Sequence, residues 1–217
     1  MLELYGYFRS SAAYRVRIAL NLKGLAYEQR SLALLKHEQS APEYLAINPQ
    51  GRVPCLVDGE HALAQSLAII EYLDEKHPEP PLLPSDPLGR ARVRKLAQVV
   101  ACDIHPLDNL RVLRYLKHEL GVSDEGKDAW YAHWIVEGFG AIERELGESP
   151  HTGSYCHGET PTIADLCLVP QCYNARRFNI DLASFPIIER IEAHCLAQSA
   201  FAAAVPERQP DAPEQLR

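Results

Sequence analysis

Basic residues are in the minority: 22 Lys and Arg stand against 29 Asp and Glu, a formal net charge of −7. That balance argues against nucleic acid as a partner, since gripping phosphates requires a basic face. No apolar run approaches the roughly 20 residues that cross a bilayer, so no membrane span is expected. The opening MLELYGYFRSS lacks the basic start and apolar core of a secretory leader. Together these absences lead to the expectation of a mature, cytoplasmic protein. C-x-x-C pairs are missing, and the nine histidines fall in no H-x-x-x-H or H-E-x-x-H pattern, so no metal site is expected. The six cysteines, Cys55, Cys102, Cys156, Cys167, Cys172 and Cys195, sit mostly in apolar stretches. They are expected to be buried thiols. What remains is ordinary for a globular chain: 217 residues, 47% hydrophobic and 24% charged, with room for one or two domains.

The chain changes character near residue 80. Leu2–Phe8 alternates apolar and polar residues as a half-buried strand does. Ala12–Lys23 reads as a helix closed by Gly24, with Val16, Ile18, Ala19, Leu20 and Leu22 forming a broad buried face. Arg15 and Arg17 are expected at its polar boundary. Tyr27–Ser31 suits a second strand, and a β-helix-β opening of this length implies parallel strands with a right-handed crossover. Ala46–Pro54 is loop-like and leads into a third strand over Val53–Val57. Asp58-Gly59 is a hairpin signal, His61–Ala64 returns antiparallel, and Ser66 starts a helix over Leu67–Lys76. The expectation is a thioredoxin-like α/β domain over residues 1–80. His77–Pro87 holds five prolines in eleven residues and reads as a linker centred on residues 81–87. Residues 88–217 show no alternating strand. Leu88–Leu120 reads as one or two helices, and Trp130–Leu146, Ile163–Phe178, Ile187–Ala197 and Ala200–Ala204 as further ones, an all-helical second domain. Thr162-Ile163-Ala164-Asp165 fits a helix-starting capping box and is read as structural.

Chemistry concentrates in three places in the first half. The junction Phe8-Arg9-Ser10-Ser11-Ala12 runs from strand to helix, where unpaired N–H groups favour an anion. A serine hydroxyl there can hold a thiolate, or can simply cap the helix. Val53-Pro54 suits a cis bond, and the Val53 backbone can pair with an extended peptide as a strand would. Gln65-Ser66 opens another helix and can receive a carboxylate. Three such sites suit a short anionic thiol peptide, with glutathione as the obvious candidate.

The run Phe8-Arg9-Ser10-Ser11-Ala12-Ala13-Tyr14-Arg15-Val16-Arg17-Ile18-Ala19-Leu20 closely resembles the signature of the zeta-class glutathione transferases, the maleylacetoacetate isomerase family. There, S-S-C is followed by an aromatic residue and R-V-R-I-A-L. The pieces N-P-Q-G-R-V-P, Q-S-L-A-I-I-E-Y-L, A-D-L-C-L-V-P-Q, A-R-R-F-N-I-D-L and R-Q-P-D-A-P-E are similar to the same family, so the likeness covers essentially the whole chain. The resemblance implies the glutathione transferase fold and a homodimer. It also implies Ser10 and Ser11 as the residues that activate the glutathione sulfur. Ala12, Gln39, Val53, Gln65 and Ser66 match glutathione-binding positions. Asp103, His105 and Asn109 match a region near the glutathione, although His105 equally suits a core position. Arg9, Arg111 and Arg177 are where substrate carboxylates are expected, because arginine suits bidentate carboxylate recognition. Surface ion pairs are the bland alternative for Arg15, Arg17, Arg111 and Arg114, and Arg176 is expected to be solvated.

Ala12 replaces the family cysteine, and Tyr14 the usual tryptophan. The implied chemistry takes its sulfur from glutathione, so the alanine should be tolerated. The implied activity is conversion of maleylacetoacetate to fumarylacetoacetate in aromatic amino acid breakdown. Thiolate addition to the cis double bond, rotation and elimination would return glutathione with the trans product. The same chemistry on maleylpyruvate, conjugation of hydrophobic electrophiles, and a non-catalytic interaction module are the rival readings.

Overall fold

The structure, a computed structural model, describes residues 1–216. The chain divides into two compact units, one made of Met1–Leu82 with the segment from Leu196 onward, the other of Leu83–Cys195. The C-terminal segment therefore packs with the sheet, whereas the sequence pattern alone grouped it with the helical half.

The first unit runs β1 (Leu2–Gly6), α1 (Ser11–Leu22), β2 (Tyr27–Ser31), a short α2 (Pro42–Leu45), β3 (Cys55–Asp58), β4 (His61–Ala64) and α3 (Ser66–Lys76). The sheet has the order β2-β1-β3-β4, with β1 parallel to β2 and both β3 pairings antiparallel. This is the expected thioredoxin-like arrangement. The β3–β4 turn works because Gly59 takes a φ of +62°, a left-handed conformation that costs glycine nothing. One row of residues crosses the sheet, with Tyr5 opposite Cys55 and Cys55 opposite Ala64. The segments that follow β1, precede β3 and follow β4 therefore emerge at the same end of the sheet.

Helix α1 departs from its expected character. Every residue from Ser11 to Leu20 is buried, and Arg15 and Arg17 are each only 1% exposed. Neither lies at a polar boundary or in a surface ion pair. Arg17 instead donates to the carbonyls of Tyr7, Phe8 and Ala204, and Arg15 to Ser66. A fully surrounded helix carries such groups at least cost where their donors find partners inside, as those of Arg17 do. The later α9 (Ser199–Ala204) also packs on α1. Lys23 ties the end of α1 to Asp74 at 2.6 Å and to the carbonyl of Pro80 at 2.5 Å.

The second unit comprises α4 (Pro87–Gln98), a π-helical segment (Val99–Ile104), α5 (Leu110–His118), α6 (Asp124–Glu148), α7 (Ile163–Arg177) and α8 (Pro186–Leu196). The stretch from Leu88 to Leu120, expected as one or two helices, forms α4 and α5 separated by the π turn and residues 105–109. A Cβ at Gly138 of α6 would lie 2.3 Å from Ile104 Cδ1, so glycine is what allows Ile104 to sit against that helix. The box at Thr162 forms as expected: Asp165 accepts from the Thr162 N–H at 2.8 Å and the Thr162 hydroxyl at 2.9 Å, and also from the Cys156 N–H at 2.8 Å. Burial raises the Asp165 carboxyl above its ordinary value, against the opposing effect of these hydrogen bonds.

Candidate active site

In the first unit the three expected stretches lie at the shared end of the sheet. Ser10 is the N-cap of α1: its Oγ accepts from the Ala13 N–H at 3.2 Å. A hydroxyl that accepts through a lone pair still has its proton to donate, so capping and thiolate stabilisation are compatible. Ser11 is the first residue of α1, 5% exposed, and Ala12 follows it, buried. Arg9 is half-buried, its guanidinium 5.6 Å from the Phe8 ring centroid.

Val53 precedes a cis peptide bond to Pro54 and lies outside β3, which begins two residues later than expected. Neither backbone polar group of Val53 has a hydrogen-bond partner among the described residues, so both are free to pair with an extended peptide. Nearby in sequence, Asn48 Nδ2 donates to the carbonyl of Arg52 at 2.8 Å, and the Tyr44 hydroxyl donates to the same carbonyl. Burial pushes the Tyr44 hydroxyl up to about 12. Gln39 is half-buried in a short 3-10 turn with Oε1 unpartnered.

Gln65 precedes α3 with a φ of +73°, a strained value for a residue with a Cβ. Its exposed side chain donates through Nε2 to Gln50 Oε1 at 2.8 Å. Ser66, the first residue of α3, is 7% exposed and accepts at Oγ from Arg15 Nη1 at 3.2 Å. The remaining Arg15 nitrogens, Nε and Nη2, are buried without a partner. A cation beside the N-terminus of α3 makes this corner fit for an anion. Arg15, Gln50 and the strain at Gln65 were not legible as site features in the sequence. The one available signal was a pair of arginines inside an otherwise apolar helix.

In the second unit, Asp103 lies exposed on the π-helical segment, and His105 follows it half-buried. Asn109 is the N-cap of α5, accepting from the Arg111 N–H at 3.2 Å, and its Nδ2 lies 3.5 Å from His105 Nε2. Asp108 is 6% exposed with neither carboxylate oxygen hydrogen-bonded, and burial pushes its acid up to about 8. The Arg111 and Arg177 side chains are exposed, and Arg177 lies 4.7 Å from the Phe178 ring centroid. Among the described residues, Arg9, Arg111 and Arg177 have no carboxylate partner. Arg176 differs: it pairs with Glu192 at 2.6 Å and Glu189 at 3.4 Å, although its side chain remains half exposed.

Four of the chain's six thiols are poor nucleophiles. Burial raises Cys55, Cys156, Cys172 and Cys195 above the ordinary thiol value. Cys102 is exposed, contrary to the expectation for all six.

A thioredoxin-like sheet with a serine at the first helix start, a cis-proline loop and an anion-ready second helix start defines a glutathione transferase N-terminal domain. Residues 4–81 match the family model of that domain, glutathione S-transferase, N-terminal domain. A probable maleylacetoacetate isomerase of Vibrio cholerae is 52% identical over 97% of this chain and 98% of its own length. A maleylpyruvate isomerase of a Ralstonia species is 47% identical over 97% of this chain and 99% of its own length. The solved maleylacetoacetate isomerase of Methylobacterium extorquens, with bound malonate and glutathione, superposes with a TM-score of 0.95 at 47% identity. That match covers 97% of this chain and 99% of that one. The chain belongs to the zeta-class glutathione transferase family, the family of the maleylacetoacetate isomerases. Glutathione is the cofactor of these enzymes, and the unpaired Val53 peptide and the orphaned Arg15 nitrogens beside Ser66 fit it.

Proposed function

We propose that this chain isomerises maleylacetoacetate to fumarylacetoacetate with glutathione as cofactor. The observation that carries the reading is the shared sheet end. It gathers Ser10, Val53 and Ser66 in a chain 52% identical, over nearly its whole length, to a probable maleylacetoacetate isomerase. When bound, glutathione supplies a thiolate that adds reversibly to the cis double bond and so permits rotation. The hydroxyls of Ser10 and Ser11, with the N-terminus of α1, hold that sulfur as its anion. Val53 pairs with the peptide backbone, Gln39 and Gln65 flank it, and Ser66 with Arg15 receives a carboxylate. Asp103, His105 and Asn109 are further candidates for glutathione contact. Arg9, Arg111 and Arg177 hold the carboxylates of the diacid and offset the charge that develops on its keto group. Most of the glutathione contacts thus fall to the first unit, and two of the three substrate arginines to the second. A homodimer, a cytoplasmic setting and a place in phenylalanine and tyrosine breakdown extend the same reading from the family resemblance.

Maleylpyruvate is the second substrate reading, favoured by the maleylpyruvate isomerase at 47% identity. The test is the absorbance change of each diacid with purified enzyme, with and without glutathione. Conversion to the fumaryl product only in the presence of glutathione, without its consumption, supports the isomerase and ranks the substrates. Consumption of glutathione, or no conversion of either diacid, overturns it.

A further inference from the structure

Both backbone polar groups of Phe8, two residues before Ser10, are held by charged side chains. The Phe8 N–H donates to Asp211 Oδ2 at 2.8 Å, and the Phe8 carbonyl accepts from Arg17 Nη2 at 2.9 Å. The turn between them and the site is tight, since the Ser10 N–H donates to the carbonyl of Tyr7 at 3.0 Å. Arg17 also reaches that carbonyl through Nη1 at 3.4 Å and the Ala204 carbonyl through Nε at 3.1 Å. The second oxygen of Asp211 accepts from Gln29 Nε2 on β2 at 3.1 Å. Burial lowers the Arg17 guanidinium to about 10, which leaves it cationic at neutral pH.

A helix cap needs only Ser10 and the first turn of α1. The observed clamp goes further, fixing the peptide just before the serine from α1 on one side and from the C-terminal segment on the other. A loop held at one residue by a carboxylate and a guanidinium cannot shift without breaking charge-assisted bonds. We propose that Asp211, acting with Arg17 through the Phe8 peptide, is a positioning residue that sets where Ser10 and Ser11 present their hydroxyls. The inference rests on the reading that these serines hold the glutathione thiolate.

The experiment uses the full-length protein and measures ionisation of enzyme-bound glutathione by the ultraviolet absorbance of its thiolate across pH, alongside kcat and the KM for glutathione. Asp211→Ala should raise the pH at which bound glutathione ionises and lower kcat by about tenfold to a hundredfold, the scale of a sub-ångström to ångström misplacement. The KM for glutathione should stay within about twofold, because its peptide and carboxylate contacts lie elsewhere. Asp211→Asn should largely restore both, since its amide oxygen still accepts from the Phe8 N–H. Should Asp211→Ala fail to fold, Asp211→Glu, which keeps the charge and displaces it by one methylene, is expected to raise the same ionisation. Unchanged ionisation in folded Asp211→Ala, or in Asp211→Glu where the alanine variant does not fold, overturns the clamp, whatever happens to the rate. Ser10→Ala and Ser11→Ala in the same assay separate the causes. If neither shifts ionisation, the serine reading has failed; if one does and Asp211→Ala and Asp211→Glu do not, only the clamp has.

Discussion

Arg15 donates a hydrogen bond from Nη1 to Ser66 Oγ across 3.2 Å, joining the middle of α1 to the first residue of α3. The guanidinium is 1% exposed, and two of its three nitrogens have no partner. A buried cation with idle donors is costly to a protein that gains nothing from it. An anionic group at the start of α3 removes that cost, which links a packing oddity to the cofactor.

Replacing Arg15 by Met should therefore raise the KM for glutathione by about tenfold to a hundredfold, the equivalent of about 1.5–3 kcal/mol for a charge-assisted hydrogen bond. The value of kcat at saturating glutathione should change much less, and Arg15→Lys should fall between. Initial rates against glutathione concentration check this, and an unchanged KM in a folded Arg15→Met variant argues for a purely structural arginine.

Ser10 and Ser11 should separate cleanly because only Ser10 is the N-cap of α1. Ser10→Ala is expected to cost about 0.5–2 kcal/mol of stability, whereas Ser10→Gly should cost only a few tenths. If the hydroxyl matters for chemistry, Ser10→Gly stays nearly as stable as the parent yet loses activity as Ser10→Ala does. Paired thermal melts and isomerisation rates for the three proteins, with Ser11→Ala beside them, decide between cap and thiolate stabiliser. Unchanged rates in both alanine variants would remove the serines from the chemistry.

Arg177 lies exposed beside the Phe178 ring with no carboxylate partner among the described residues. Arg177→Ala should raise the KM for the diacid by roughly tenfold or more and leave that for glutathione nearly unchanged, with little effect on the melting temperature. Equal effects on the two would place its role elsewhere.

Asp108 supplies a pH test of stability. Its folded acid, pushed up to about 8 by burial, holds a proton that the unfolded chain releases near the ordinary carboxyl value. The folded state thus binds more protons between those values, and stability falls as pH rises through that window, by at most about 1.4 kcal/mol per pH unit. Asn at this position does not titrate. The melting temperature of Asp108→Asn should therefore gain on the parent from about pH 5 to about pH 8. Every other titratable group is common to both proteins, so its contribution largely cancels. A constant difference across the range would mean that the Asp108 carboxyl is not desolvated.

The sequence alone determined much of this protein because the deciding signals are local. The strand over Tyr27–Ser31 and the return strand over His61–Ala64 appear at their expected residues, and α7 begins at Ile163 as the capping box at Thr162 dictates. Side-chain periodicity, turn glycines and caps act within a few residues, so they can be read without the rest of the chain. The zeta-like serine–arginine run likewise pointed to the family and to glutathione.

Tertiary structure alone decided whatever depends on partners far away in sequence. Arg15 and Arg17 have the look of boundary residues, and only Ser66, the Phe8 peptide and Ala204 turn them into buried ties. The start of α8 has its cap supplied by Glu143, which accepts from Ile187 and Ile188 at 2.8 and 3.0 Å across more than forty residues. The π turn at Val99–Ile104 sits where Gly138 leaves room for Ile104. Asp211, an unremarked acid in a polar tail, becomes a partner of the loop that carries Ser10. Burial and hydrogen bonding of a polar group are set by what the completed fold places beside it. No local pattern encodes that, and so the supports of the site were hidden while its serines were not.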